Sequence, residues 1–489
     1  MFVPFGLSLL LASSVIAAPA ATSDSAAASS SVASSVDSAA PSSSLASASD
    51  SAGAASASPS LTLSAAVSSS ASPSASAVEE EGSITPVSVT VDPVPTAAND
   101  VEWDPYGPET TVEPVRGALG APFSGPTNPE IDFQNPDLLA PPNTDFGSVG
   151  SGKWSLSLSP TRLLTGGWVR YEDELVMPLG DEMAGANIHL EPGAIRELHW
   201  HSIAEWVYVL AGETQISAVD QKGRNYFATA KTGDLWFFPS GVGEHRSNNV
   251  LNSGDGPSEF VLIFKTGLFD AAKTFHITDW VSHIPFSVLQ KNFGVQGTDA
   301  FSKAPSKQLY IFPHEAPSDE TIAPESPQGE IPDPYVFNWS EQPYEEFAGG
   351  KVKTVDASTF KASKDFSAAE VVLEPGAMRE LHWHTSADEW SFFIEGNLRY
   401  SVFTEVAART YDMSPGDVGY APISSGHYIE NIGNTTARFL EVIDAPEFED
   451  ISLTQWLALT PPEIVKAHFG VDDATVAGLS KTKNRVVQG

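Results

Sequence analysis

The sequence predicts an all-β fold made of two related domains, and three observations support this prediction. One stretch occurs twice, as EPGAIRELHWH at 191–201 and EPGAMRELHWH at 374–384. Apolar and polar residues alternate over short runs, such as AGANIHL in the first copy and WSFFIEG in the second, which is typical of strands with one buried face. Gly and Pro turns separate these runs at regular spacing, as in sandwiched or closed β domains.

The chain that precedes the first domain divides into three segments. Residues 1–18 contain an apolar run that ends in small residues, which predicts a secretory signal peptide. Residues 19–100 are dominated by Ser and Ala, which predicts a disordered spacer because such a segment buries too little apolar surface. Residues 101–152 contain aromatic residues and Pro-Pro turns and are predicted to form an ordered arm. We therefore expect a secreted, extracellular protein, with cell-wall association left open.

The two copies define the remaining domain boundaries. The first domain is assigned to residues 153–300, a linker to 301–329, and the second domain with a C-terminal helical tail to 330–489. Trp and Leu recur at helical spacing in 275–294 and 453–470, which predicts short helices after each β unit. These helices are expected to pack on the outside of the domain or on a partner subunit.

Composition excludes several classes of function. The chain of 489 residues has 62 acidic and 26 basic residues and a formal charge of −36, so nucleic acid is not expected as a partner. No apolar run is long enough to suggest a membrane span. The absence of cysteine excludes thiolate ligands and cysteine nucleophiles. Two sequons make Asn338 and Asn434 candidate glycosylation sites.

Each copy contains residues that predict a metal site. In a strand, two histidines one residue apart point to the same face, and a glutamate and a third histidine follow in both copies. Three imidazoles and one carboxylate leave coordination positions open and suit Mn, Fe or Co better than a closed zinc site. Packing or surface roles would explain an isolated pair but not a matched duplicate, so His189, His276, His283, His314 and His468 are interpreted as structural. The predicted ligands are His199, His201, Glu205 and His245 in the first domain and His382, His384, Glu389 and His427 in the second.

These residues carry a resemblance to a known family. The spacing from Gly193 through the first ligand set to Gly212, and from Gly376 to Gly396, matches the first cupin motif, while GDLWFFPSGVGEH (233–245) and GDVGYAPISSGHYIEN (416–431) match the second. With the paired RELHWH and SLTQWLA (452–458), the chain resembles the secreted fungal bicupin oxalate decarboxylases and oxalate oxidases. The resemblance implies two cupin domains, which are double-stranded β-helices of the jelly-roll type.

The resemblance also implies a cofactor and a substrate. It implies two manganese ions per chain, dioxygen as cosubstrate or cofactor, oxalate as substrate, and a homo-oligomer, either a trimer or a hexamer. Arg196 and Arg379 precede each HxH pair by three residues, and in the family this arginine reaches the substrate carboxylate, for which a planar guanidinium is suited. The alternative is an ion pair with the adjacent glutamate. The odd offset would turn each arginine to the other face of an ideal strand, unless the preceding Pro-Gly turn alters this.

The sequence departs from the family pattern at three places. The loop before His245 has one extra residue, so Glu244 is an alternative ligand, and Ser424 replaces a motif glycine. Family decarboxylases carry a glutamate in the loop after the first β unit that protonates the carbon-centred intermediate and yields formate. Ala271 stands at that position, next to Asp270, and resembles the loop of bicupin oxidases.

The second domain retains a candidate acid. Glu441 corresponds to a buried glutamate of the family, either as a proton donor or as a group that orients a ligand, and Leu262 occupies its place in the first domain. Trp200 and Trp383, between the paired histidines, are interpreted as packing residues or as a route for an electron across a subunit interface.

The sequence thus predicts a manganese-dependent enzyme that degrades oxalate. Decarboxylation is the family's usual reaction, and oxidation to two CO2 and hydrogen peroxide is the alternative that the loop suggests. A non-catalytic storage-type bicupin and a bicupin enzyme acting on another substrate are the remaining alternatives, and the complete ligand sets argue against the first of them.

Overall fold

The computed structural model describes residues 125–126, 128–200, 202–240, 247–269, 274–294, 305–315 and 323–489. Almost all regular structure in these ranges is β, and short helices follow each β unit, so the predicted all-β fold with flanking helices is confirmed. The predicted signal peptide, the spacer and most of the arm lie outside the described residues. So do His201, Glu244, His245, Asp270 and Ala271.

The first β unit consists of two antiparallel sheets. Strands β9, β6, β11, β4, β3 and β2 form one sheet in that order, and β12, β5, β10, β7 and β8 form the other, with β13 also pairing with β5. The strands are β2 (Arg162–Leu164), β3 (Gly167–Glu172), β4 (Ala184–Leu190), β5 (Ile195–Trp200), β6 (Glu205–Ala211), β7 (Glu213–Val219), β8 (Asn225–Lys231), β9 (Leu235–Phe238), β10 (Ser247–Asn252), β11 (Ser258–Phe264), β12 (Phe275–His276) and β13 (Ile311–Phe312).

The second β unit repeats this arrangement. Strands β22, β19, β24, β17, β16 and β15 form one sheet, and β21, β20, β23, β18 and β25 form the other, with β26 pairing with β18. The strands are β15 (Glu345–Phe347), β16 (Gly350–Val355), β17 (Ser367–Leu373), β18 (Ala377–Trp383), β19 (Glu389–Glu395), β20 (Leu398–Thr404), β21 (Ala407–Met413), β22 (Asp417–Ala421), β23 (Gly426–Asn431), β24 (Ala437–Ile443), β25 (Ile451–Ser452) and β26 (Val486–Gln488).

Helices lie before, between and after these units. Two tryptophans of the repeated motif pack against them: the Trp200 ring lies 6.5 Å from that of Trp280, and the Trp383 ring 5.5 Å from that of Trp456. Among the described residues, every helix is too short or too polar to cross a bilayer. The helices are α1 (Pro129–Gln134), α2 (Pro136–Leu139), α3 (Ile277–Ser282), α4 (Phe286–Phe293), α5 (Leu453–Leu459), α6 (Pro462–Phe469) and α7 (Asp473–Gly478).

The two units exchange edge strands. β1 (Lys153–Ser155) lies before the first unit but pairs with β22 of the second, and β14 (Val336–Phe337) lies before the second unit but pairs with β9 of the first. The sequence-based boundaries at residues 153 and 330 place both segments in the opposite unit, because strand exchange leaves no local signal. Each seven-stranded sheet therefore contains one strand from the segment that precedes the other unit.

The core between the units is formed by the outward faces of the two seven-stranded sheets. Trp206 and Tyr208 lie on the face of β6 opposite Glu205, yet they are fully buried because the second unit covers them. Both contact the ring of Trp339, at 6.5 and 6.0 Å between centroids. A single apolar cluster includes these residues and Trp390 from β19. Burying side chains of this size stabilises the pair of units by about 2 kcal/mol or more for each.

Buried polar groups also connect the units. The Trp390 indole donates to Glu172 Oε1 at 2.8 Å, and the Glu172 side chain has no solvent exposure. Burial raises the pKa of Glu172 to about 8. Lys265 forms an ion pair with Asp444, and these two residues stand directly after the equivalent strands β11 and β24.

Candidate active site

Four predicted ligands of the second unit meet inside it. His382 lies near the end of β18, His384 follows that strand, Glu389 begins β19 and His427 lies in β23. All four are buried, and one ligand atom from each lies within 4.8 Å of the others. The structure thus brings together the complete second set that the alternation of side chains in the HxH strand predicts.

Backbone carbonyls fix the orientation of the three imidazoles. Nδ1 of His382, His384 and His427 lies 2.7, 2.6 and 2.8 Å from the carbonyl oxygens of Glu380, Glu449 and Ser425. A carbonyl only accepts, so each Nδ1 carries the proton and each Nε2 presents a lone pair. This is the arrangement by which proteins orient histidine ligands toward a metal.

The ligand atoms fit a divalent cation. Glu389 Oε2 lies 3.0, 3.1 and 3.9 Å from Nε2 of His384, His427 and His382. Among the described residues, Nε2 of His382 is buried without a hydrogen-bond partner. Four acceptors that converge in a buried space repel one another, and a cation would remove that repulsion.

Electrostatics favour the metal-binding protonation states of His382 and Glu389. Burial lowers the pKa of His382 well below its usual value, and Arg379 lowers it further. Burial alone would raise the pKa of Glu389, but the electrostatic effect of the imidazoles, chiefly that of His427, holds it well below its usual range. A neutral imidazole and an ionised carboxylate are the forms that bind a metal ion.

The loop that leads to His427 contains a strained residue. Ser424, which stands where the family motif has glycine, has φ of +63°. Its backbone N–H donates to the carbonyl of His384 at 2.7 Å, which ties the loop to a ligand. The substitution is therefore accommodated in the left-handed conformation that the motif glycine would favour.

Arg379 lies on the interior side of β18 because that strand contains a bulge. The register between β18 and β23 shifts between Arg379 and His382, which adds one residue to β18 and turns the arginine toward the ligands. Arg379 is fully buried and donates to Glu441 at 3.1 Å and to Asp450 at 2.8 Å. Burial alone would lower its pKa, but the two carboxylates raise it. Burial raises the pKa of Glu441, against the effect of Arg379.

The first unit contains a smaller described part of the equivalent site. His199 Nδ1 contacts the carbonyl of Glu197 at 2.6 Å, as in the second unit. His199, Glu205 and Arg196 line one cavity whose other walls are mostly apolar. The remaining described lining residues are Val169, Ala186, Ile188, Val250, Phe260, Leu262, Phe264, Phe269, Thr274 and Tyr310.

A bulge also turns Arg196 inward, but its neighbours differ from those of Arg379. The register of β5 and β10 shifts between Arg196 and His199. The guanidinium Nη1 lies 3.0 Å from Nε2 of His276 and donates to the Tyr310 carbonyl at 3.3 Å. Its carbon lies 3.9 Å from the centre of the Tyr310 ring. Burial lowers the pKa of Arg196.

Comparison with known proteins identifies the family. The model of the Cupin family matches residues 158–300 and 338–477. The chain is 43% identical over 380 residues to oxalate decarboxylase OxdC of Bacillus subtilis, covering 77% of this chain and 97% of that protein. It is 37% identical over 397 residues to an oxalate decarboxylase of Arthroderma benhamiae, covering 76% of this chain and 93% of the relative. The chain belongs to the bicupin oxalate decarboxylase family.

Solved structures of bicupin oxalate decarboxylases have the same fold. The structure of the Bacillus subtilis enzyme at pH 4.6 superimposes with a TM-score of 0.72 at 42% identity, covering 77% of this chain and 97% of that chain. Another, from work on the Mn(II) centres of that enzyme, matches with the same score and identity and covers 99% of that chain. The prediction of two cupin domains is confirmed.

Within this bicupin chain the two sites differ in charge. Leu262 pairs with Ala186 as Glu441 pairs with Ala369, so an apolar residue replaces a carboxylate in the first site. Thr274 and Asp450 precede equivalent pairs of residues in β12 and β25, so a hydroxyl replaces the second carboxylate. Among the described residues, the two positions that hold carboxylates around the arginine of the second site therefore hold none in the first.

Some site residues of this bicupin chain were not predicted. His276, interpreted above as structural, is buried beside Arg196, and its ring lies 6.0 Å from that of the ligand His199. Comparing the two repeats did not reveal His276, because Ser452 occupies the equivalent strand position in the second unit. The only signal was its place directly after the loop that holds Asp270.

Proposed function

We propose that this chain is a manganese-dependent oxalate decarboxylase that converts oxalate and a proton into formate and CO2 and requires dioxygen. The observation that carries the proposal is the cavity of the first site, where Arg196 lies beside His199 and Glu205 among apolar walls. The chemistry of this cavity suits a small dianion, since a planar guanidinium binds one carboxylate while a metal would bind the other. Relatives with 37–43% identity are named oxalate decarboxylases.

We propose manganese as the metal at both sites, one ion in each unit. His382, His384, Glu389 and His427 would hold one ion, and His199, His201, Glu205 and His245 the other. When bound, manganese supplies one-electron chemistry and a template for oxalate. The donor set of nitrogen and oxygen without thiolate suits this metal.

We propose that oxalate reacts at the first site. Arg196 has no carboxylate at ion-pair distance among the described residues, whereas Arg379 is paired with Glu441 and Asp450. A dianion therefore meets less repulsion at the first site. Arg196 would orient the substrate, and the apolar walls would exclude water from the reacting carbon.

Formate forms only when a proton is added to the carbon from which CO2 has left, so the reaction requires a proton donor. Asp270 is the candidate in the first unit; it lies outside the described residues, and in the sequence it stands between Phe269 and Thr274, which both line the cavity. Glu441 is the candidate in the second site, where burial keeps its pKa raised. Its pairing with Arg379 equally supports a role in orienting that arginine.

Oxalate oxidation is the second candidate function. It is favoured by one sequence observation, the replacement of the loop glutamate by Ala271. Without a proton donor the intermediate would lose a second electron, and oxalate with dioxygen would give two CO2 and hydrogen peroxide.

A product assay separates the two reactions. The manganese-loaded protein is incubated with oxalate and dioxygen at acid pH, and formate and peroxide are measured in one sample. Formate without peroxide is the expected result. Peroxide in proportion to the oxalate consumed would show that the protein is an oxidase and not a decarboxylase. The absence of both products would refute the assignment of oxalate as substrate.

We also propose that the protein is a secreted homo-oligomer, either a trimer or a hexamer. Helices of both units leave large apolar side chains exposed, including Trp280 at 51% and Trp456 at 54%, and such patches on equivalent elements suit contacts between copies. Light scattering of the purified protein tests this, and a monomer at micromolar concentration would contradict it.

A further inference from the structure

Arg196 is the inner end of a chain of four polar side chains. Its Nη1 lies 3.0 Å from Nε2 of His276, whose Nδ1 lies 2.7 Å from the Gln308 side-chain nitrogen. The Gln308 side-chain oxygen accepts from Nη2 of Arg162 at 3.1 Å. Arg196 and His276 are buried, while Arg162 is exposed. These four residues, called the arginine relay below, connect the metal cavity to the surface.

The four side chains of the arginine relay cannot make all three of their mutual hydrogen bonds at the same time. Guanidinium groups only donate hydrogen bonds, and both ends of the relay are guanidiniums. If His276 accepts from Arg196 through Nε2, its Nδ1 carries the proton and faces the Gln308 side-chain nitrogen, which is also a donor. Turning the amide to present its oxygen to Nδ1 would place that nitrogen against the guanidinium of Arg162 instead. If Gln308 instead donates to Nδ1, then Nε2 carries the proton and faces another donor on Arg196. A protonated imidazole would be worse, since it has two donors.

Arg196 is therefore held in place although none of the described carboxylates lies at ion-pair distance from it. Its other contacts are the carbonyl and the ring face of Tyr310, and the same ring also faces the guanidinium of Arg162 at 4.2 Å. Tyr310 is fixed in turn, with φ of +63° and its N–H donating to Glu197 at 2.7 Å. The arginine is thus placed firmly at the cavity wall while one of its hydrogen-bond contacts stays unsatisfied or easily exchanged.

We propose that His276 and Gln308 are positioning residues that hold Arg196 facing the first metal cavity and release its Nη1 to an incoming carboxylate. The inference rests on the proposed function, since it assigns the carboxylate to oxalate. The carboxylate is the acceptor that the relay lacks. When the carboxylate accepts the hydrogen bond from Nη1 of Arg196, His276 no longer has to accept it. The imidazole proton can then stay on Nε2, while Gln308 donates to Nδ1 of His276 and accepts from Arg162.

The test is oxalate binding to the full-length, manganese-loaded protein without dioxygen, measured by calorimetry, together with steady-state kcat and KM. H276A should raise the Kd and the KM for oxalate about tenfold, because Arg196 loses its positioning contact, while kcat changes less than about threefold. H276Q, whose side chain can also accept from Arg196, should stay within about threefold of the wild type.

A second variant acts at the surface and does not threaten the fold. R162M removes the outer donor without supplying another, so the Gln308 amide can turn and accept from His276, and His276 can then hold Arg196 more firmly. The Kd for oxalate should rise about threefold. K307M, which removes the same charge at a neighbouring exposed residue, should leave the Kd unchanged. Manganese content and melting temperature are measured for each variant.

Two results would overturn this inference and leave the proposed function unaffected. One is an H276A protein with wild-type affinity for oxalate, and the other is an R162M protein indistinguishable from K307M. A wild-type protein that neither binds nor consumes oxalate would instead refute the proposed function.

Discussion

At the scale of single residues, one motif has placed the same arginine in two electrostatic settings. Arg379 is neutralised by Glu441 and Asp450, whereas Arg196 faces a histidine and a tyrosine. The repeated RELHWH sequence does not reveal this difference, because the deciding residues lie on other strands. The donors of Arg379 are occupied by two carboxylates, whereas none of the described carboxylates pairs with Arg196, so Arg196 can bind a carboxylate of a ligand.

We expect Arg196→Lys and Arg379→Lys to have different effects. R196K should lower kcat/KM for oxalate about 100-fold, because an ammonium cannot bind a carboxylate through two parallel hydrogen bonds. R379K should chiefly lower the melting temperature, since it weakens contacts to two buried carboxylates. Steady-state kinetics and thermal unfolding measured on both variants check this. Equal losses of kcat/KM would contradict a substrate site confined to the first unit.

Ser424 offers a test of local strain near the second metal. Ser424→Gly should raise the unfolding free energy by about 1 kcal/mol, because glycine adopts φ near +63° without a steric penalty. Ser425→Gly is the control, and it should lower stability by about 0.5–1 kcal/mol, since that serine does not have a positive φ. Denaturant unfolding measures both, and a destabilised S424G would show that the strain is not significant.

At the scale of elements, tight hairpins set the position of each ligand-bearing sheet. Gly167 begins β3 with φ of +152°, and a Cβ there would lie 1.9 Å from the carbonyl oxygen of His189. Gly350 begins β16 in the second unit with φ of +151°, and a Cβ there would lie 2.0 Å from the carbonyl oxygen of Val372. Both glycines let two backbone segments approach more closely than any side chain allows.

Gly167→Ala should therefore destabilise the protein by about 3 kcal/mol or more, because backbone atoms must move apart. Gly256→Ala is a matched control in the same unit, where a Cβ meets nothing within 4 Å, and it should change stability by less than about 0.5 kcal/mol. Melting temperature and soluble yield are the measurements. A G167A protein as stable as G256A would mean that the hairpin relaxes freely.

The individual strands also show which parts of the site could be predicted from the sequence. The second ligand set follows from alternation in β18 and from the duplicated spacing, and the structure assembles it. The inward direction of Arg196 and Arg379 does not follow, because bulges between strands that are distant in sequence decide it. His276 could not be found from the repeat, since its importance depends on a contact with Arg196 on another strand.

At the scale of the whole molecule, the interface between the units contains a titratable group. Glu172 is fully buried, with its pKa raised from about 4.5 to about 8. A raised carboxyl pKa means that the folded state binds the proton more tightly than the unfolded state. The resulting stabilisation is complete below pH 4.5 and is lost as the pH rises through 8.

Glu172→Gln should remove this part of the pH dependence. The amide keeps an acceptor for the Trp390 indole but cannot ionise. Between pH 5 and pH 8.5 the wild type should lose up to about 4 kcal/mol more stability than E172Q. Denaturant unfolding at the two pH values measures the difference. Parallel pH profiles for the two proteins would show that Glu172 titrates normally in the fold.

The exchanged edge strands bear on how the chain is made. Gly152, next to β1, donates to the Tyr411 hydroxyl, which lies 259 residues further along the chain. During synthesis the first cupin unit can close most of its sheets while β1 still has no partner. The β1 segment stays unpaired until β22 has left the ribosome, and the first unit receives β14 only after the linker has emerged. A ribosome that stalls between the two units therefore releases an unfinished domain that bears both an unpaired strand and an uncovered apolar sheet, so truncated chains should be early targets of chaperones and proteases.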